Sequence, residues 1–145
     1  MAQKPSTILI VDDDRTVIDT LSSHFRRRNY EPIATANAVM VEEILEDFEV
    51  QLILLDLRMD RLNGYEILRR LSEKNITIPV LIITAYYADE KEKLAKIGIQ
   101  QEDVIEKPFR DFSKIEEKIN RKLSRVVLPD EVGSDYEDEI YYLNR

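Results

Sequence analysis

Four short, unbroken apolar runs constrain this chain more than any other feature: Ile8-Leu9-Ile10-Val11, Leu52-Ile53-Leu54-Leu55, Val80-Leu81-Ile82-Ile83 and the shorter Val104-Ile105. A strand with one wet face alternates apolar and polar residues, whereas a strand covered on both faces reads as a continuous apolar run. The four runs therefore predict buried parallel strands. Glu31-Pro32-Ile33-Ala34 is a weaker fifth candidate and belongs at an edge, because its proline cannot donate to a central ladder.

Between the runs the apolar spacing becomes helical. Val17, Leu21 and Phe25 form one stripe with Ile18 beside it; Val41, Ile44, Leu45 and Phe48 form a second; Tyr65, Ile67, Leu68 and Leu71 a third. Residues 89–97 are charge-rich, with Leu94, Ala95 and Ile97 the only apolar positions, so this helix should be the least firmly packed. Phe112, Ile115, Ile119, Leu123 and Val126 line a long last helix. Strand and helix thus alternate five times, which predicts an α/β domain with a mostly parallel sheet and right-handed crossovers. A chain of 145 residues, 43% of them apolar, has material for one such core and not for two.

The pattern stops at Leu128-Pro129. Residues 129–145 hold six acidic residues against Arg145 alone and so carry −5 of the formal −8, while residues 1–128 are nearly balanced at 23 acidic and 20 basic. The sequence divides into a body, 1–128, and an acidic C-terminal tail, 129–145. Ser134 and Glu137 have capping-box spacing for a short helix through Tyr141, and Tyr136, Ile140, Tyr142 and Leu143 give the tail more apolar surface than solvation requires. Docking on the body or on a second copy is one role for it, and the start of a linker is another.

Composition removes several function classes. With no cysteine, disulfides, thiolate metal sites and thiol nucleophiles are excluded, and the single histidine, His24, leaves zinc sites and Ser-His-Asp catalysis short of parts. His24 lies beside the basic Arg26-Arg27-Arg28 and is expected at the surface. The acidic balance argues against direct nucleic-acid binding, which needs a basic face. No apolar stretch approaches the roughly 20 residues of a membrane span, and the first residues lack the apolar core of a secretory signal. A cytoplasmic location is the expectation.

In an open α/β sheet, ligands gather at the carboxyl ends of the strands. There the chain places Asp12-Asp13-Asp14, Asp56, Thr84 and Glu106-Lys107. Converging carboxylates need a cation, and hard oxygen donors without histidine favour Mg²⁺ or Ca²⁺. Lys107 and Thr84 suit a phosphoryl group, so the set as a whole suits phosphoryl transfer to an aspartate. Taken singly these are ordinary strand-end polar residues, and Asp12-Asp13-Asp14 has the form of a helix N-cap.

Over residues 6–127 the body resembles the receiver domain of two-component response regulators. The resemblance rests on Ile8 to Asp14, on Asp56-Leu57-Arg58-Met59 with Gly64 eight residues past the aspartate, on Ile82-Ile83-Thr84-Ala85, and on Lys107-Pro108-Phe109. It implies a flavodoxin-like five-stranded parallel sheet with helices on both faces. It also implies that Asp56 accepts a phosphoryl group from a phosphohistidine, on a sensor histidine kinase or a phosphotransfer protein. Asp13, Asp56 and the Arg58 backbone carbonyl would hold Mg²⁺ directly and Asp12 through water. Thr84, the Ala85 backbone N–H and Lys107 would meet the phosphoryl oxygens, and Lys107-Pro108 would be cis. Such a protein is not an enzyme beyond its own phosphorylation and dephosphorylation, and it acts on a downstream protein target; a homodimer is left open.

The chain departs from the family pattern in places. Asp60 replaces a usual proline, Val104 replaces the aromatic whose rotation reports phosphorylation, and residues 98–103 are about two longer than usual. Arg58 and Tyr86 occupy positions that tune phosphoryl lifetime. Two alternatives stand beside this reading. Asp12 to Thr16 also fits the D-x-D-x-T signature of haloacid-dehalogenase-like phosphatases, with Asp12 as nucleophile and Asp14 as general acid. A degenerate receiver would bind its partner without phosphorylation.

Overall fold

The computed structural model describes residues 4–60 and 62–124. The tail, with its capping box and docking role, lies outside the described residues, as does Val126. Backbone contacts divide the chain into one compact unit up to Arg110 and a second from Asp111.

In the first unit the four apolar runs and the edge candidate become five parallel strands: β1 (Ser6–Val11), β2 (Tyr30–Thr35), β3 (Leu52–Asp56), β4 (Val80–Thr84) and β5 (Val104–Glu106). Their order is β2-β1-β3-β4-β5, so the proline-bearing strand takes the edge. The helices between them are α1 (Arg15–Arg27), α2 (Val41–Asp47), α3 (Gly64–Glu73) and α4 (Tyr87–Lys96). The first crossover runs to one side of β1 and the next three to the other. With right-handed connections, α1 therefore covers one face and α2 to α4 cover the opposite one. The fold is the flavodoxin-like α/β architecture.

Period-two alternation explains why both faces had to be apolar. Leu9, Val11, Ile53, Leu55 and Ile82 share a core with Val41, Ile67, Leu71 and Leu94 from α2, α3 and α4. The intervening Ile8, Ile10, Leu52, Leu54, Leu81 and Ile83 are also fully or almost fully buried. Leu94 is the only buried residue of α4, in keeping with that helix's charge-rich sequence.

Two helix-surface expectations are corrected. His24 is buried, not exposed: it lies three residues after Leu21 and beside Phe25, on the inward stripe, its ring 5.9 Å from that of Phe25 in an edge contact. Phe48 is exposed rather than part of the α2 stripe, because it is the C-cap, where the extended backbone has already left helical periodicity. The extra residues before β5 form a 3-10 turn, Gln101–Asp103, in which the buried Asp103 carboxylate accepts from the Gln100 N–H at 3.0 Å.

The second unit contains α5 (Phe112–Ser124). Its Ile115 and Ile119 are buried, one turn apart on the expected stripe.

Candidate functional site

Because the strands are parallel, β1, β3, β4 and β5 all end on the same edge of the sheet, and their next residues converge. Asp12 follows β1 and is fully buried; its Oδ1 accepts from the Asp14 N–H at 2.9 Å. Asp14 then caps α1, its carboxylate accepting from the Thr16 N–H at 2.9 Å. Asp56 closes β3 and is 5% exposed. Carboxylate oxygens of Asp12, Asp13 and Asp56 lie within 4.8 Å of one another, with Asp13 at the exposed mouth.

Lys107 supplies the facing cation. Its N–H donates to the Thr84 carbonyl at 2.9 Å, carrying the β4–β5 ladder one step past the last pair. Its Nζ lies 2.7 Å from Asp12 Oδ2 and 3.6 Å from Asp56 Oδ2. The approach to Asp12 Oδ2 is a charge contact and not an aligned hydrogen bond. The peptide bond between Lys107 and Pro108 is cis.

Burial, followed by the neighbouring Asp12 charge, pushes the Asp56 carboxyl up to about 7, against the lowering pull of Lys107 and of the Arg58 N–H, 3.4 Å from Oδ1. A carboxyl group so poor in compensation is one that gains from a further cation. The donor set is all oxygen, so these residues fit a hard divalent ion. Thr84 is buried at the end of β4, and its Oγ1 accepts from the Tyr86 N–H at 3.0 Å. Ala85, the next residue, is exposed.

Gly64 lets the β3–α3 connection close over this edge. A Cβ there would stand 2.7 Å from the Asp56 carbonyl oxygen and 2.9 Å from Leu57 Cα, while the glycine N–H donates to the Leu57 carbonyl at 2.9 Å. Only glycine allows that approach.

The family model of the response regulator receiver domain matches residues 8–120. The chain belongs to this family. Among its relatives, the nisin biosynthesis regulatory protein NisR of Lactococcus lactis is 34% identical over 119 residues, covering 79% of this chain and 51% of that protein. The heme response regulator HssR of Staphylococcus saprophyticus is 32% identical over 105 residues, covering 72% of this chain and 46% of the relative. This receiver thus spans about half the length of those curated relatives. Among solved structures, FixJ-N superposes with a TM-score of 0.73 at 27% identity, covering 87% of this chain and 99% of that one. The receiver domain of the Francisella response regulator 1452 gives 0.72 at 21% identity, covering 83% and 98%, a likeness of fold alone. The match runs through Asp12 to Thr16, and Asp14 is occupied as a cap, so the phosphatase alternative is not favoured.

The structure therefore brings Asp12, Asp13, Asp56 and Lys107 together and sets Thr84 beside Lys107 through the strand ladder. It directs the Arg58 side chain elsewhere, away from the acidic pocket. The guanidinium pairs with Glu90 of α4 and lies 3.9 Å over the Tyr86 ring. Sequence reasoning did not find Glu90 or Tyr65, whose hydroxyl donates to Glu90 at 2.5 Å. They belong to separate helices, and no spacing rule links them.

Proposed function

We propose that this receiver accepts a phosphoryl group on Asp56. The observation that carries the reading is the buried Asp56 carboxylate at the end of β3, flanked by Asp12, Asp13 and Lys107. An Asp56 oxygen attacks the phosphorus of a phosphohistidine, the P–N bond breaks, and the imidazole leaves with the electron pair and takes up a proton. Mg²⁺ held by Asp13, Asp56 and the Arg58 carbonyl, with Asp12 through water, would neutralise charge on the transferring group. Lys107, Thr84 and the Ala85 N–H meet the phosphoryl oxygens, and the Thr84 hydroxyl, accepting from Tyr86, keeps its own proton to donate. Positioning supplies most of the acceleration. Arg58 stacked on Tyr86 screens the product from water.

On this reading the donor is a sensor histidine kinase or phosphotransfer protein, and the output is a protein contact whose population shifts on phosphorylation. The receiver is residues 1–128, works in the cytoplasm and catalyses only its own phosphorylation and dephosphorylation.

Intact mass after incubation with Mg²⁺ and acetyl phosphate tests the assignment. One phosphoryl adduct is expected in the wild type, lost in Asp56→Asn and without Mg²⁺. An adduct that survives Asp56→Asn but needs Asp12 would restore the phosphatase. No adduct under any condition would leave a receiver that binds without phosphorylation.

A further inference from the structure

Arg58 stands between two groups of negative charge. Its backbone follows Asp56 by two residues, with the N–H 3.4 Å from Asp56 Oδ1, so its long side chain starts at the rim of the acidic pocket. Yet the guanidinium faces α4. Nε donates to Glu90 Oε2 at 3.1 Å, and Nη2 lies 3.0 Å from the same oxygen as an ion pair.

Glu90 is itself held from several sides. It lies in the first turn of α4, its N–H donating to the Tyr86 carbonyl at 3.1 Å. Its second oxygen accepts from the Tyr65 hydroxyl of α3 at 2.5 Å, and Lys93 Nζ caps the Tyr65 ring at 4.0 Å. The Glu90 side chain is 13% exposed against 49% for Arg58, so the less exposed anion anchors the wetter cation. These groups form one wall of an open cleft of about 370 Å³ next to the pocket.

Charge arithmetic gives the arrangement a purpose. When ionised, Asp12, Asp13 and Asp56 against Lys107 leave two negative charges, which match a divalent cation. A guanidinium folded into the same pocket would leave one and would occupy the same oxygens. Arg58 is permanently charged, so its guanidinium brings a full positive charge to whichever carboxylate it pairs with.

We propose that Glu90 is a positioning residue for the metal pocket: by clamping Arg58 against α4 and Tyr86, it keeps the guanidinium off Asp13 and Asp56 and leaves them open to the divalent cation. The inference rests on the metal reading given under Proposed function. Arg58 keeps its backbone N–H beside Asp56 while its side chain is parked outside.

The test is a MgCl₂ titration of the full chain at constant ionic strength, followed by the amide chemical shifts of the pocket. Wild type, Glu90→Gln, Arg58→Ala and the double variant are compared. Glu90→Gln keeps the shape and an acceptor for Tyr65 but removes the charge, and it should weaken Mg²⁺ binding on the order of fivefold, the scale of one partly exposed ion pair. The double variant should bind as tightly as Arg58→Ala alone, because no guanidinium remains to intrude. Unchanged affinity in Glu90→Gln, or equal weakening with and without Arg58, would overturn the clamp while the metal site stood. Failure of the wild type to bind Mg²⁺ at all would overturn the pocket reading and the clamp with it.

Discussion

Asp56 is costly to ionise where it sits, and that cost has a direction in pH. Its folded value near 7 lies above the ordinary carboxylate value of 3.8, burial being the largest cause and Asp12 the next. Between about pH 4 and pH 7 the folded chain holds a proton that the unfolded chain has released, so stability falls as pH rises through that window. Below it both states are protonated, and above it both are ionised. Asp56→Asn removes the titration with little change of shape. In metal-free buffer it should match the wild type near pH 3.5 and gain steadily to about 2 kcal/mol above pH 7, less than the full separation implies because Lys107 also loses a partner. Urea unfolding at several pH values measures this. A constant difference across the range would show that the carboxyl group titrates normally.

At the scale of elements, the pocket depends on how closely α3 starts against the end of β3. A Cβ at residue 64 would meet backbone and not a yielding side chain, so Gly64→Ala must push α3 off the strand or move Asp56 itself. A loss of about 2 kcal/mol in urea unfolding is expected, with a lower yield of phosphorylated protein. A wild-type midpoint would mean that the connection has slack. Gly64 could be read ahead of the structure only through its receiver-like place eight residues past Asp56, whereas the strands could be read because burial on both faces leaves a run that polar residues cannot interrupt. Asp12, Asp13, Asp56, Thr84 and Lys107 were legible for the same reason: parallel strands bring their ends to one edge. Where two elements meet by side chains alone the sequence is silent, and the Arg58–Glu90–Tyr65 contact is of that kind. His24 is an intermediate case. Its helical offset from Leu21 carried the signal for burial, which the adjacent Arg26-Arg27-Arg28 obscured.

Over the whole molecule, the acidic pocket is tied to the same core that holds the sheet. Asp12 follows β1 and Asp56 ends β3, two adjacent interior strands whose apolar residues are fully buried, so relief of repulsion at the pocket stabilises the unit up to Arg110 against unfolding. A ligand that binds only the folded state adds stability by mass action. Mg²⁺ at ten times its dissociation constant should add about 1.4 kcal/mol and raise Tm by about 4 °C in a protein of this size. The chain carries a net −8, so general screening must be separated from site binding, and NaCl of equal ionic strength provides the reference. Asp13 is exposed, so Asp13→Asn removes a negative charge from the cluster without disturbing the core. Thermal unfolding followed by circular dichroism should then show a Mg²⁺-specific rise in the wild type and a smaller one in Asp13→Asn. Equal rises in the two proteins would place the stabilising ion elsewhere on the acidic surface, and the Asp12, Asp13 and Asp56 pocket would lose its role as the metal site.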